Sequence, residues 1–498
     1  MSHGVNTVQT DHIDGTAQDI ALKDCLPLLA RERQWGLFDF IWVQSGLAIA
    51  TWAFLFGGVT ALFVGFWDGL WTMLVGNCLG AIAMMMASAI MTCKWGTEHF
   101  VMQRAIYGAL GVLVLVIGLI APFILGWTTI LALMFGRAAV QVSNALTGAE
   151  TADTSIAVTL IALGALAFGW WIVANGEKAV RILNRFIAPG LIAMSAILLG
   201  TIFSQVPFAD IVAAPAIDPT GDRATDLMLA IELNIAAGAG WWGAVGNIAR
   251  GAKTQRAATW GSFTGLVPVA VLAQMVGLTA ALVMGDSDPT VWMMPIVGPL
   301  VGSILLAFLA FANLTSMASF VYSGAQCFTQ HLGAWTQRLG WVRLTGAMFG
   351  ICALLILFTA TALYDRFFVF VAWTQAVLVS GIGVVIADYY LLRRQRLDLA
   401  ALYDLGAGSR YHFWGRVNIA ALASLGLGIA VFAALFDPYN LVGKLSFSAT
   451  SASLPAMLAA LACHYVLTRA IVIPLGKGGY RTAAPRSSAT PFAGETAR

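Results

Sequence analysis

Charge is what this sequence has least of. Asp, Glu, Lys and Arg make up 10% of its 498 residues, where a soluble globular chain carries about 25%. With 59% hydrophobic residues, a large water-soluble core does not account for the chain. The six cysteines (Cys25, Cys78, Cys93, Cys327, Cys352, Cys463) show no paired spacing and read as small hydrophobes in or near apolar segments. None of the six His residues stands at metal-ligand spacing from another His, a Cys or a carboxylate, which leaves metal enzymology without support. No glycine-rich loop ends in Lys-Ser or Lys-Thr, so ATP is not the expected energy source and no ATPase partner is implied. A secretory leader is not expected either, because Asp11, Asp14, Asp19 and Lys23 precede the first apolar run.

What the sequence has is about a dozen long apolar stretches, each near the ~20 residues that cross a bilayer. They lie at 38–60, 69–92, 108–135, 154–174, 181–203, 227–248, 259–284, 293–322, 344–364, 367–392, 416–436 and 450–475. Every backbone polar group in lipid needs an internal partner, so these stretches are expected as helices. With the N-terminus inside, only Arg137, Arg223, Arg366 and Lys444 of the 27 Lys and Arg fall on outside loops. That distribution obeys the positive-inside rule. The expectation is an all-α polytopic membrane protein of 12 transmembrane helices in a cell (inner or plasma) membrane, both termini cytoplasmic. The tail over 476–498 reads as disordered, being rich in Gly, Ser, Thr, Pro and Arg. Trp35, Trp67, Trp71 and Trp292 are placed where interfacial belts are expected.

Two stretches are unusual. The first has a small, polar-tinged centre, Gln44-Ser45-Gly46-Leu47-Ala48-Ile49-Ala50-Thr51, and the sixth reads Gly238-Ala239-Gly240-Trp241-Trp242-Gly243-Ala244-Val245-Gly246. Each glycine weakens a helix by about 1 kcal/mol relative to Ala. Such a cost is tolerated where the backbone breaks, or where small residues let neighbouring helices touch. Stretches one and six are five apart, the pairing expected of inverted repeats with broken first members.

The eighth stretch concentrates hydroxyls at Thr315, Ser316, Ser319 and Ser323. With carbonyls freed at a helix break they can supply a small hard cation with oxygens, or they can bond back to their own helix. Trp127, Trp241 and Trp242 lie too deep for a belt. Indoles at that depth can sandwich a planar ligand, or fill gaps beside glycine. Glu232 is the one carboxylate clearly inside a stretch, at a cost of about 2.5–3.5 kcal/mol on insertion scales. It is expected to be proton-responsive or to line the permeation route, or else to reach the headgroups from the outer end of its helix. No Ser–His–Asp or paired-carboxylate arrangement appears at membrane depth, which argues against an enzyme. The lack of a signalling domain argues against a sensor. A secondary transporter driven by an ion gradient remains.

Several segments then carry a resemblance. Ile386-Ala387-Asp388-Tyr389-Tyr390-Leu391-Leu392-Arg393-Arg394 resembles the signature closing helix 10 in the nucleobase:cation symporter family, which includes cytosine, allantoin and hydantoin permeases. Glu32-Arg33-Gln34-Trp35-Gly36-Leu37-Phe38, Lys94-Trp95-Gly96 with Arg104 and Gly108, Gly176-Glu177-Lys178-Ala179-Val180-Arg181 with Asn184 and Pro189, and Tyr411-His412-Phe413-Trp414-Gly415-Arg416-Val417-Asn418 are similar to family segments in the same order. The resemblance spans about 32–475.

It implies a leucine-transporter-like fold: a first five-helix repeat over 36–203, a second, inverted one over 226–392, and helices 11–12 over 393–475, after a cytoplasmic tail over 1–35. It implies import of a planar nitrogen heterocycle by cation symport, Na+ or H+ being the coupling ion and no other cofactor needed. By position, Trp127 and Trp241 match the stacking aromatics, with Gly240 beside them. Thr315 and Ser316, the Ala312 carbonyl and the carbonyls of Gly46 and Ile49 match the cation donors, which favours Na+. The polar contacts of hydantoin-type members fall here on Ala50, approximately Leu131, and Phe320 or Val321, with Ser319 the nearest polar group. That departure leaves the ring's polar edge without obvious partners. An amino-acid or quaternary-amine carrier on the same fold is the alternative. No nucleic-acid partner is implied.

Overall fold

Twelve apolar helices follow the expected stretches through a computed structural model that describes residues 26–480 apart from 153, 176, 360 and 361. The N-terminal tail up to residue 25 and most of the 476–498 tail lie outside the described residues. Ten helices are long and apolar enough to cross a membrane, and a bent pair makes an eleventh span. In chain order the first five are α1 (Leu37–Ala48 and Thr51–Phe63), α2 (Phe66–Trp95), α3 (Ala109–Thr147), α4 (Ile156–Ala174) and α5 (Glu177–Gln205). Then follow α6 (Arg223–Ala249), α7 (Gln255–Met284), α8 (Pro299–Leu332), α9 (Trp341–Thr359) and α10 (Phe367–Leu392). The shorter apolar α11 (Ile419–Leu435) and α12 (Ser453–Val472) complete the set.

One boundary differs from the expectation. The stretch read as 293–322 is split: a short helix, Pro289–Val297, ends at Gly298 with φ 83°, and α8 starts at Pro299 and runs on to Leu332. Gly298 in the left-handed region and Pro299 at a helix start form a stop–start signal that hydropathy does not register. Trp292 lies on the short helix and is fully buried, so it is not a belt residue, whereas Trp67 and Trp71 are exposed.

The two interrupted helices differ. Helix α1 bends by 62° where Ile49 and Ala50 are extended. Helix α6 is interrupted at Gly240–Trp241 by a tight turn with both residues still near helical angles. Helices end where backbone partners run out. At the α1 break Asn313 of α8 supplies one: its Oδ1 accepts from Thr51 N–H at 3.2 Å, and its Nδ2 donates to Thr51 Oγ1 at 2.8 Å.

Glycines set the close packing, α1 against α7 and α2 against α6. A Cβ on Gly277 would meet Phe54 O at 1.9 Å, and one on Gly57 would meet Gln274 O at 1.8 Å. Gly80 faces Ile235 O at 2.4 Å and Gly238 faces Asn77 O at 2.5 Å in the same sense. Small residues at such crossings let backbones touch without lipid between them. Between the pairs, Asn77 donates to Gln274 Oε1 (2.8 Å) and Asn234 Oδ1 (3.2 Å), and Asn234 donates to Thr60 Oγ1 (3.3 Å). This polar knot joins α1, α2, α6 and α7. Helix α3 packs on α8, so each of these pairs maps onto another or onto itself under an offset of five helices.

Candidate functional site

The centre of the bundle is walled by aromatics from four helices. Trp52 of α1 contacts Trp241 of α6 edge-on at 5.4 Å and Trp127 of α3 at 6.3 Å. Trp127 lies parallel to Phe320 of α8, centroids 6.0 Å apart at 13°. With Phe56, Gly240, Val371 and Gln375 these residues line a slot of about 30 Å³. A flat ring between two aromatic faces needs about 7 Å, two contact distances, more than the present Trp127–Phe320 stack leaves.

Trp127, Gly240 and Trp241 are therefore together, as the sequence proposed. Ala50 and Leu131 are fully buried and outside the slot lining. Ser319 borders a second small cavity, lined by Leu47, Trp52, Trp241, Ser316 and Ser323, and its hydroxyl donates to Thr315 O at 2.9 Å. Sequence reasoning missed Trp52, Phe320 as a wall, and Gln375. Trp52 had a signal, standing just beyond the α1 break; Gln375, next to Thr374, is a polar residue mid-helix in α10.

Of the proposed cation donors, Thr315 is buried and its hydroxyl bonds back to Ala312 O at 2.9 Å. Ser316 Oγ is buried with no partner and faces the same cavity as Leu47. The carbonyls in the last turn of the first α1 segment, Gly46 among them, lack intrahelical donors because the helix stops at Ala48. An orphaned hydroxyl beside freed carbonyls is a donor set that fits a small hard cation.

Glu232 is buried inside the bundle. It is 6% exposed and accepts from Ala452 N–H (3.0 Å), Ser453 N–H (3.2 Å) and the Ser453 hydroxyl, tying α6 to the start of α12. It also lines a cavity of about 450 Å³ adjoining the slot, with which that cavity shares Ala236, Val371 and Gln375. The Arg137–Asp288 ion pair (3.1 Å) and Tyr364, which donates to Asp288 at 3.0 Å, line the same cavity, at the arginine-poor end of the bundle.

The arginine-rich end holds a buried polar cluster. Fully buried Asp388 accepts from Arg393 at 2.5 Å, from Tyr480, and contacts His464 Nε2 at 3.1 Å. Between α2 and α3, burial pushes the Glu98 carboxyl up and the His99 imidazole down to about 3.

Comparison with known proteins agrees with this architecture. Residues 27–462 match the profile of a family described as permeases for cytosine/purines, uracil, thiamine and allantoin. This chain belongs to that permease family. Among curated relatives, the hydantoin permease of Microbacterium maritypicum is 22% identical over 434 residues, covering 81% of this chain and 82% of that protein. The structure of Mhp1, a nucleobase-cation-symport-1 family transporter in a closed conformation with bromovinylhydantoin bound, superposes with a TM-score of 0.73 at 18% identity, covering 91% of this chain and 96% of that one. A Na+-coupled sialic acid symporter shares the fold at a TM-score of 0.58 and 10% identity, covering 91% of this chain and 94% of that one. The permease chain is thus a multi-pass membrane transport protein of the leucine-transporter-like fold, with a small molecule as cargo.

Proposed function

We propose that this permease imports a nucleobase-like planar nitrogen heterocycle, of the cytosine, purine, allantoin or hydantoin class, by symport with Na+. The observation that carries the reading is the slot itself, with Trp52, Trp127, Trp241 and Phe320 around a space bounded by the α1 and α6 interruptions. Each indole face adds roughly 0.5–1.5 kcal/mol of stacking beyond area burial. Trp127 and Trp241 hold the ring. Ser316, Thr315 and the carbonyls of Gly46, Ile49 and Ala312 hold the ion.

Coupling follows from where the ion would lie. It bridges α8 to the freed end of the first α1 segment, and Trp52 opens the second α1 segment just beyond the break. An ion that fixes the break also fixes Trp52 against Trp241, so ion and ring favour the same state. The large cavity lies at the arginine-poor end, which the positive-inside rule puts outside. It is the entry vestibule, and Glu232 serves it through hydrogen bonding.

Uptake of labelled cytosine, uracil, hypoxanthine, allantoin and hydantoin into proteoliposomes tests this. Accumulation of at least one ring is expected, stimulated by inward Na+ and weakened by replacing Na+ with choline. Stimulation by a proton gradient alone would favour H+ coupling. Four aromatic walls also suit a quaternary amine, and betaine as competitor checks that reading in the same assay.

A further inference from the structure

The polar edge of the ring has no partner at Ala50 or Leu131, and Gln375 supplies what those positions lack. Gln375 is on α10, is 2% exposed, and lines both the slot and the vestibule. Its amide nitrogen donates to Ser453 Oγ at 3.0 Å, and the Ser453 hydroxyl donates to Glu232 Oε1. Gln375 Oε1 has no partner in the protein.

The chain of bonds fixes which end of the amide is free. Amide oxygen and nitrogen are ordinarily interchangeable in placement, so the network must decide. Two backbone N–H groups at the start of α12 converge on Glu232 Oε2, bonds that favour its carboxylate form, and a carboxylate only accepts. The single proton of the Ser453 hydroxyl therefore goes to Glu232. Ser453 is left as an acceptor, so Gln375 turns its NH2 to Ser453 and keeps its carbonyl oxygen free.

Trp127 Nε1 is the complementary group. It is buried, has no partner, and can only donate. Among the described residues lining the slot, these two are the buried side-chain polar atoms without partners, one acceptor and one donor. A ring N–H next to a ring carbonyl, the lactam edge of a cyclic amide, offers the complementary donor and acceptor. A quaternary ammonium centre has neither an N–H for Gln375 Oε1 nor an acceptor for Trp127 Nε1.

We infer that Gln375 is a specificity-determining residue that accepts the N–H of a lactam edge while Trp127 Nε1 donates to the adjacent carbonyl. Ser453 and Glu232 are positioning residues that hold the amide in that sense. The inference rests on the heterocycle reading above, which it deepens.

The test is competitive binding to the detergent-purified full chain. The probes are cytosine, uracil, hypoxanthine, allantoin and hydantoin, each beside the derivative methylated at one lactam nitrogen. Leaving a buried acceptor unpaired weakens binding by about tenfold or more. Wild type is expected to disfavour one N-methyl derivative of its ring by at least that factor. Gln375→Leu should weaken the parent ring about tenfold, leave that N-methyl derivative unchanged, and so erase the discrimination. Gln375→Met repeats the measurement with a flexible isostere if the leucine variant folds poorly. Ser453→Ala, which frees the amide to rotate, should reduce the discrimination while Gln375 remains. Discrimination persisting in the Gln375 variants, absent from wild type, or lost through equal weakening of parent and derivative overturns the role of Gln375 and leaves the heterocycle reading standing. If no ring binds wild type, the heterocycle reading fails and this inference falls with it.

Discussion

At the arginine-rich end of the bundle Asp388 is fully buried and engages Arg393, His464 and Tyr480, whereas at the opposite end Asp288 holds Arg137 and Tyr364 at the wall of a cavity of about 450 Å³. Both carboxylates join three elements. They differ in their surroundings. Arg393 is 4% exposed at its side chain, also donates to Ala105 O and Gly478 O, and lies over the Tyr480 ring at 4.0 Å. At the other end the cavity shares Val371 and Gln375 of α10 and Ala236 of α6 with the slot. One carboxylate is locked into a dense buried cluster and the other stands at the wall of an open space, so the first has far less room to rearrange.

The comparison breaks most readily at Asp388. Replacing it by Ala leaves Arg393 buried without its counter-charge, a change that costs about 3–5 kcal/mol. Asp288→Ala, at a cavity wall with ion-pair side chains 12% and 14% exposed, is expected to cost about 1 kcal/mol. Thermal unfolding in micelles checks the pair, and equal losses at both ends would remove the asymmetry.

The next effect belongs to His99 at the arginine-rich end. Its imidazole is fully buried and titrates near 3 because burial disfavours the charged form. The unfolded chain binds that proton near pH 6.5, so between 6.5 and 3 unfolding is favoured as pH falls. About 2 kcal/mol of stability should be lost between pH 7.5 and 5. His99→Gln should flatten that slope; an unchanged slope would show that other groups carry it.

At the slot, Trp127→Ala is expected to weaken ring binding about tenfold by removing one stacking face. Asp288→Ala should leave ring affinity within about twofold, since Asp288 is a vestibule group; scintillation proximity binding measures both. Smallest is Ser316→Ala, which should raise the half-saturating Na+ concentration about fivefold, the worth of roughly 1 kcal/mol. Ring affinity at saturating Na+ should stay put, and a uniform loss instead would make Ser316 a packing residue.

Legibility in the sequence follows the same division. All twelve helices coincide with hydropathic stretches because a bilayer dictates both length and apolarity. Four of the segments that carry the family resemblance assemble at the arginine-rich end: Arg33 donates to Cys93 O, Lys94 to Gln395, Trp95 to the Tyr389 hydroxyl, and Asn418 to Ile106 O. Contiguous strings with fixed partners leave strong local signals. Trp127 and Trp241 were legible because indoles at that depth are rare.

Trp52, Phe320 and Gln375 were not read as site residues for one physical reason. They come from α1, α8 and α10, where apolar residues cover every face, so that the polar positions alone do not show which of the large side chains turn inward. The Gly298–Pro299 stop was hidden because turn chemistry overrode hydropathy there. Glu232 was visible as an anomaly, but its partners Ala452 and Ser453 lie 220 and 221 residues away.

The central claim is that the indole-walled slot is where the cargo binds. Equilibrium binding of the ring that wild type accumulates, measured side by side on wild type, Trp127→Ala and Trp241→Ala with thermal unfolding as the folding control, tests it most directly. The account predicts folded variants whose affinity drops about tenfold each. Folded variants that bind the ring as tightly as wild type would contradict it.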